Sequence, residues 1–159
     1  MKVSVLAVGK PRGGLESVIR EFEVRAAHYW KLDIEEVGSG SGRRSSQDLK
    51  AVQAKEGKRL LARVPKGSEM WALTREGSEI SSVALAEALA GKALQGVRGI
   101  TFLVGGAFGL SPQVLERADR RMSLSPMTLP HELARLVLTE QLYRAGTILR
   151  NEPYHKGSS

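Results

Sequence analysis

The sequence predicts an α/β domain with a largely parallel sheet, and three observations support this fold class. Strand-like and helix-like stretches alternate along the chain, as they do where helices connect parallel strands. The run Gly99–Val104 (GITFLV) is apolar throughout, which is typical of a strand buried on both faces. The length of 159 residues and the 42% of hydrophobic residues fit one soluble domain. We therefore predict a single domain over residues 1–159.

The remaining elements follow from periodicity and capping residues. Apolar and β-branched runs predict further strands at Lys2–Val8, Lys31–Val37, Glu69–Thr74 and Met122–Leu124. Helical spacing, together with serine and proline at helix starts, predicts helices over residues 14–30, 45–63, 81–94, 111–120 and 130–149. Gly38–Ser46 (GSGSGRRSS) has the composition of a loop. This loop is a lid, a segment that contacts nucleic acid, or a plain connector.

Composition excludes several classes of function. The net charge of +7 favours a polyanionic partner such as nucleic acid, although solubility alone also explains it. With no cysteine, disulfides, zinc-thiolate sites and cysteine nucleophiles are excluded, and a cytoplasmic location is expected. No apolar run is long enough to span a membrane, so no membrane partner is expected. The three histidines do not have the spacing of metal ligands, and we predict no metal site.

Three glycines come directly after the predicted strand Gly99–Val104, at Gly105, Gly106 and Gly109. Ligands of open α/β sheets bind beyond the carboxyl ends of the strands, and glycine lets the backbone approach a ligand closely. The spacing G-G-x-x-G is neither the G-x-G-x-x-G of dinucleotide sites nor a P-loop. A ligand site and a tight strand-to-helix turn both explain the cluster.

The segment Met122 to His131 (MSLSPMTLPH) joins a predicted strand to a predicted helix. Its prolines and hydroxyl residues interrupt an apolar stretch, so its backbone groups are available to a ligand such as adenine. Leu124, Met127 and Leu129 would supply apolar contact. A buried connecting loop is the alternative.

The C-terminal tail places Tyr154, His155 and Lys156 side by side. These side chains can stack on a base, move a proton and neutralise a phosphate, respectively. An idle tail is the alternative. The preceding helix is apolar on more than one side, which indicates either a homodimer interface or a central helix in a monomer.

Several of these segments together resemble the ribosomal RNA large subunit methyltransferase H family of the SPOUT superfamily. The resemblance is carried by LVGGAFGLSPQVLERAD, SLSPMTLPHELARLVLTEQLYRA and the terminal PYHK. The opening MKVSVLAVGK and the segment WALTREG are also similar to the family. The resemblance therefore covers nearly the whole chain, and it is most specific in the C-terminal third of the sequence.

Membership in this family implies more than the residue patterns do. It implies an α/β fold with a C-terminal trefoil knot, which general rules of chain topology would exclude. It also implies a homodimer that transfers a methyl group from S-adenosylmethionine to N3 of a pseudouridine in 23S ribosomal RNA. The positions that match the family's cofactor site are Leu73, Gly105, Gly106, Gly109, Leu124, Ser125, Pro126, Met127, Thr128 and Leu129.

The resemblance also assigns roles in catalysis and RNA binding. Tyr154 and His155 match the family's tail, and we assign His155 as the base that removes the N3 proton and Tyr154 as the residue that positions the target. Basic residues expected to contact RNA are Lys10, Arg12, Arg43, Arg44 and Arg144. Other functions that the sequence leaves open are a non-catalytic RNA-binding module, a nucleotide-dependent oxidoreductase and a SPOUT enzyme acting on transfer RNA.

The chain departs from the family pattern at two places. The family's loop commonly reads G-G-P-E-G, whereas here Ala107 and Phe108 follow the second glycine. The usual glutamate is therefore absent, and Phe108 is expected to cover the cofactor or a base instead. In the tail, Glu152 stands where the family usually has histidine.

Overall fold

The chain forms five strands and five α-helices in a computed structural model that describes residues 1–41 and 48–156. A short 3₁₀ turn at Gly13–Leu15 precedes the first helix. In chain order the elements are β1 (Lys2–Val8), α1 (Glu16–Ala27), β2 (Lys31–Val37), α2 (Leu49–Leu61), β3 (Ser68–Glu79), α3 (Ser82–Leu94), β4 (Gly99–Val104), α4 (Pro112–Arg117), β5 (Arg120–Ser123) and α5 (His131–Leu149).

The five strands form one parallel sheet in the order β2-β1-β4-β3-β5. The central strand β4 is buried along its whole length, as its unbroken apolar sequence predicts. The predicted fold class, an α/β domain with a mostly parallel sheet, is confirmed. Because all strands are parallel, their carboxyl ends lie at one edge, where ligands of such sheets bind.

Helices cover both faces of the sheet. On one face, α1, α3 and α5 pack on a core that includes Trp71, Phe102 and Leu142, all fully buried. On the other face, α2 and α4 pack on a smaller core that includes Leu6, Leu60 and Leu103. Removing this apolar surface from water is the main stabilising contribution to such a three-layer domain.

A buried ion cluster ties α5 to α1 and β2. Arg135 of α5 is only 2% exposed and lies 2.6 Å from a Glu23 carboxylate oxygen and 2.9 Å from a Glu36 carboxylate oxygen. Arg20 contacts the same two carboxylates. Burial alone would raise the pKa of Glu36, but hydrogen bonds from Arg135 and Arg20 outweigh it and lower that pKa.

Capping residues define the starts of three helices. Asp48 caps α2, because its side chain accepts a hydrogen bond from the backbone N–H of Lys50. The helix therefore starts at Leu49; the predicted start at Ser45 lies outside the described residues. Ser81 and Ser111 cap α3 and α4 as predicted. Helix α1 is shorter than predicted at both ends.

The region around β5 also differs from the prediction. Helix α4 ends at Arg117 rather than near Arg120, because the chain is already extended at Ala118 and Arg120 pairs with Trp71 of β3. The predicted strand Met122–Leu124 therefore begins two residues earlier and ends at Ser123.

Strand β3 is longer than the predicted Glu69–Thr74 and passes closely against β5. Its pairing with β5 shifts between Leu73 and Ser78, since both residues pair with Met122. A methyl group on Gly77 would lie 2.7 Å from backbone atoms of Arg121 and Met122, so only glycine allows this approach. The knot that the resemblance implies stays a prediction.

Candidate functional site

A cavity of about 460 Å³ opens at the carboxyl ends of β4 and β5, beside the middle of β3. Its volume is within the range of small-molecule sites. Three segments form most of its wall: the middle of β3, just beyond its pairing with β4, the glycine turn after β4 and the connection from β5 to α5. The residues that line the cavity include Gln53, Leu73, Arg75, Gly105, Gly106, Phe108, Gly109, Leu124, Ser125, Met127, Thr128, Leu129 and His131.

The glycine turn depends on the absence of side chains. A methyl group on Gly105 would lie 2.6 Å from the carbonyl carbon of Gly109, and Gly109 has φ +78°, a conformation that favours glycine. The backbone N–H of Gly109 donates to the carbonyl of Gly106 at 3.1 Å. From α2, the Gln53 amide donates to the carbonyl of Phe108 at 2.5 Å. The turn is therefore fixed against a helix.

The opposite wall is the segment between β5 and α5. The Ser123 hydroxyl lies 3.1 Å from the carbonyl of Arg75 and 2.9 Å from that of Ser125, which attaches the segment to the middle of β3. Arg75 donates across the cavity rim to the Thr128 hydroxyl at 2.7 Å. Within the described chain, the backbone N–H groups of Thr128 and Leu129 have no acceptor. They are available to a ligand.

Nine of the ten residues that the sequence assigned to cofactor binding line this cavity. Pro126 does not line it. The backbone N–H of Met127 donates to the Ser125 hydroxyl at 3.0 Å, which forms a tight turn with Pro126 at its exposed tip. Both neighbours still contribute to the wall.

Sequence reasoning missed several lining residues. The sequence pattern assigns no role in the site to Gln53, Arg75 or His131. Arg75 and His131 come together only through the strand order, in which β3 and β5 are neighbours although α3, β4 and α4 separate them in sequence. Phe108, which the sequence did single out, is 39% exposed at the cavity.

The tail residues Tyr154 and His155 do not line this cavity in their own chain. The Tyr154 hydroxyl donates to Glu140 at 2.9 Å, and its ring packs on Tyr143 with ring centres 4.6 Å apart. Burial, followed by the hydrogen bond to Glu140, raises the pKa of Tyr154. Glu140 is nine positions beyond His131, which corresponds to roughly 13 Å along a helix.

A second contact orders the tail. The Tyr29 hydroxyl donates to Glu152, and this hydrogen bond, with burial second, raises the pKa of Tyr29 to about 12. The Tyr29 ring occupies the space that a side chain at position 146 would need, since a methyl group on Gly146 would lie 2.3 Å from it. Tyr29 and Glu140 thus hold the two ends of the segment 152–154.

The predicted RNA-contact residues fall into three groups. Lys10 and Arg12 are exposed just beyond the carboxyl end of β1, which is the neighbour of β4 and lies at the same edge as the cavity. Arg144 instead pairs with Glu140 at 2.7 Å, and its guanidinium lies 4.8 Å from the centre of the Tyr154 ring. Arg43 and Arg44 lie outside the described residues.

Comparison with known proteins identifies the family. A family model described as a predicted SPOUT methyltransferase matches residues 1–155. The chain belongs to the SPOUT methyltransferase family. It is also similar over its length to proteins named ribosomal RNA large subunit methyltransferase H. The relative from Gemmatimonas aurantiaca is 49% identical over 157 residues, covering 98% of this chain and 100% of that protein.

More distant relatives carry the same name. The protein from Syntrophotalea carbinolica is 42% identical, covering 98% of this chain and 99% of its own length. The protein from Bacillus pumilus is 40% identical, covering 98% of this chain and 100% of its own length. Among the residues that the structure describes, this SPOUT methyltransferase has no helix that is both long enough and apolar enough to cross a membrane.

Proposed function

We propose that this SPOUT methyltransferase transfers the methyl group of S-adenosylmethionine to N3 of a pseudouridine in 23S ribosomal RNA. The observation that carries the proposal is the cavity at the carboxyl ends of β4 and β5, since nine of the ten positions that match the family's cofactor site line it. The names of the full-length relatives support ribosomal RNA as the substrate.

The residues of the cavity fit the proposed cofactor. Leu73, Leu124 and Leu129 supply apolar surface for an adenine ring. The free N–H groups of Thr128 and Leu129 can donate to its ring nitrogens, which are acceptors. At the glycine turn, backbone atoms rather than side chains would contact the remainder of the cofactor.

When bound, the cofactor supplies an electrophilic methyl group on a sulfonium. The protein's own tasks are to orient the acceptor nitrogen and to remove its proton. Orientation alone can contribute several kcal/mol to such a transfer. We assign proton removal to His155 and positioning of the base to Tyr154, because an imidazole nitrogen can accept a proton and a phenol ring can stack on a base.

These assignments require a homodimer, which we include in the proposal. In one chain the tail is attached to α5 near Glu140, away from the cavity. Tyr154 and His155 of one protomer would instead complete the site of its partner. Half-buried Leu133 and Leu136 of α5 belong to neither hydrophobic core, so they provide apolar surface that a partner protomer would cover.

Basic residues at the cavity edge are proposed to bind the RNA backbone. Lys10 and Arg12 are exposed there, and neither forms an ion pair with the described residues. Cations without partners can neutralise phosphates and make binding dependent on salt. Because the proposed substrate is ribosomal, we also propose a cytoplasmic location for the enzyme.

The deciding experiment is transfer of labelled methyl from S-adenosylmethionine to ribosomes from a strain that lacks the modification, with mapping of the labelled nucleotide. Label on N3 of one pseudouridine in 23S ribosomal RNA is expected. Cofactor binding without label on ribosomes would redirect the substrate to another RNA, such as transfer RNA. Absence of both binding and transfer would leave a non-catalytic RNA-binding module.

The role of His155 has a separate test. The variant His155→Ala is expected to lower the single-turnover rate by about 100-fold, as loss of a general base does, while cofactor affinity stays unchanged. A full single-turnover rate in this variant would remove the assignment of His155 as base. The exposed His28→Ala is the matched control.

A further inference from the structure

Glu56 of α2 is a buried carboxylate with one oxygen that has no hydrogen-bond donor. Glu56 is only 3% exposed to solvent. Oε2 accepts the backbone N–H of Gly40 at 3.1 Å, but Oε1 has no partner among the described residues. Nor does any described lysine, arginine or histidine form an ion pair with it. A buried carboxylate oxygen without a hydrogen-bond donor lowers the stability of the fold. We therefore expect Glu56 to have a functional role that offsets this loss of stability.

The position of Glu56 follows from the glycine beside it. A methyl group on Gly57 would lie 2.3 Å from the Ser111 hydroxyl, so glycine lets α2 approach the start of α4 closely. This approach puts Glu56 beneath the glycine turn. A methyl group on Gly106 would lie 3.0 Å from each carboxylate oxygen of Glu56. The carboxylate therefore packs directly against the backbone of Gly106, with no room for a side chain between them.

Gly106 also lines the cavity, so a single layer of backbone separates the Glu56 carboxylate from the proposed cofactor. The cations on the same helix do not neutralise this charge. Arg59 is directed to the carbonyls of Gly38 and Ser39, at 2.8 Å from each, and Lys55 is exposed. A charge in a poorly solvated site acts more strongly on its surroundings than one in water. Its field in the cavity favours a cation.

We propose that the buried Glu56 carboxylate, packed against Gly106 in the cavity wall, makes the site prefer the sulfonium of S-adenosylmethionine over the neutral thioether of its product. This inference rests on the proposed function and names a specificity-determining residue within it. In the proposed transfer the methyl carbon would form a bond to N3 as its bond to sulfur breaks, the S–C bonding pair would stay on sulfur, and N3 would lose its proton to the base. S-adenosylhomocysteine therefore lacks the positive charge on sulfur. The Glu56 carboxylate therefore attracts the sulfonium of S-adenosylmethionine but does not attract the sulfur of S-adenosylhomocysteine.

The test compares two affinities rather than an activity. Dissociation constants for S-adenosylmethionine and S-adenosylhomocysteine are measured by calorimetry on the wild type, on Glu56→Gln and on the exposed control Glu116→Gln. In Glu56→Gln, the ratio of the first constant to the second is expected to rise by roughly 5- to 10-fold, almost entirely through weaker binding of S-adenosylmethionine. The control is expected to keep the wild-type ratio.

Other outcomes separate this inference from the proposed function. An unchanged ratio in Glu56→Gln overturns the inference alone, and equal weakening of both ligands assigns Glu56 a merely structural role. A wild type that binds neither ligand overturns the proposed function and the inference with it. Should the glutamine variant fail to fold in thermal unfolding, Glu56→Met removes both the charge and the unpaired oxygen, and the same rise in ratio is expected from it.

Discussion

The tyrosine at position 29 contacts the tail across 123 positions of sequence. We predict that Tyr29→Phe, which removes only the hydroxyl, lowers the free energy of unfolding by about 1 kcal/mol at pH 8. The folded-state pKa of Tyr29 is raised to about 12 from an ordinary 10.0. The stabilisation is therefore fully present below pH 10 and is lost as the pH rises toward 12.

Urea denaturation of the two proteins at pH 8 and pH 11 measures this effect. The difference between wild type and Tyr29→Phe should be smaller at pH 11. A difference that is constant with pH would contradict the hydrogen bond to Glu152 as its origin. Tyr143→Phe is the matched control, because it removes a hydroxyl that forms no hydrogen bond with the described residues.

Arg135 is the second residue whose removal has a defined consequence. Arg135→Met leaves the carboxylates of Glu23 and Glu36 together without their buried cation, which should cost about 3 kcal/mol of stability at pH 7. The lowered pKa of Glu36 means that its stabilisation is present above the ordinary value of 4.5 and is lost as pH falls below it. The difference from wild type should therefore narrow in acid.

Denaturant titrations at pH 7 and pH 4 test this expectation. Arg63→Met is the control, because the Arg63 side chain is 60% exposed in its pair with Glu35 and exposed pairs contribute little. A loss in Arg135→Met no larger than in this control would contradict the importance of the buried cluster.

At the scale of single residues, the sequence predicts which glycines form the site but does not predict which charged residues are buried. Gly105, Gly106 and Gly109 stand out because three glycines directly follow an apolar strand. Glu56 does not stand out, since a glutamate among lysines and arginines on a helix reads as a solvated face. Its burial depends on Gly57 and Ser111, which are far apart in sequence and meet only when α2 packs on α4.

At the scale of elements, the turn after β4 determines whether the cavity can form. Gly105→Ala would place a methyl group 2.6 Å from the backbone of Gly109. Because the atoms in contact are backbone atoms of the turn, relieving this clash would distort the turn itself. We expect the affinity for S-adenosylmethionine to fall more than 10-fold, which corresponds to 1.4 kcal/mol or more. Calorimetry measures the affinity directly.

Gly91→Ala is the matched control for this prediction. Gly91 lies within α3, and a methyl group there meets nothing within 4 Å. Alanine in a helix is favoured over glycine by somewhat less than 1 kcal/mol, so this variant should be slightly more stable and bind the cofactor normally. Equal cofactor affinity in the two variants would show that the turn at Gly105 tolerates a side chain.

Elements were predictable where their pattern is local. The strands β1, β2 and β4 have the predicted bounds, since a glycine directly follows each of them, at Gly9, Gly38 and Gly105. The second half of β3 was missed because Arg75 to Glu79 is polar and contains Gly77, which indicates a turn. That stretch is extended because it pairs with β5 after a register shift, a contact between segments that no local pattern records.

At the scale of the whole molecule, the proposed function needs two chains. The cavity is built from β3, β4 and β5, whereas Tyr154 is attached to the middle of α5. If each site takes its tail from the partner, a protomer with a damaged cavity can still donate a working tail. A protomer with a damaged tail can likewise offer a working cavity.

Mixed dimers test this arrangement. Gly105→Ala and His155→Ala, each nearly inactive alone, are unfolded together and refolded in equal amounts. Random pairing in two-fold dimers makes half of them mixed, and each mixed dimer has one intact site, so about a quarter of the wild-type activity is expected. A mixture no more active than the separate variants would place the tail and the cavity of one site in the same chain. Because each tail is attached to α5 of its own protomer, we expect the mixture to recover activity.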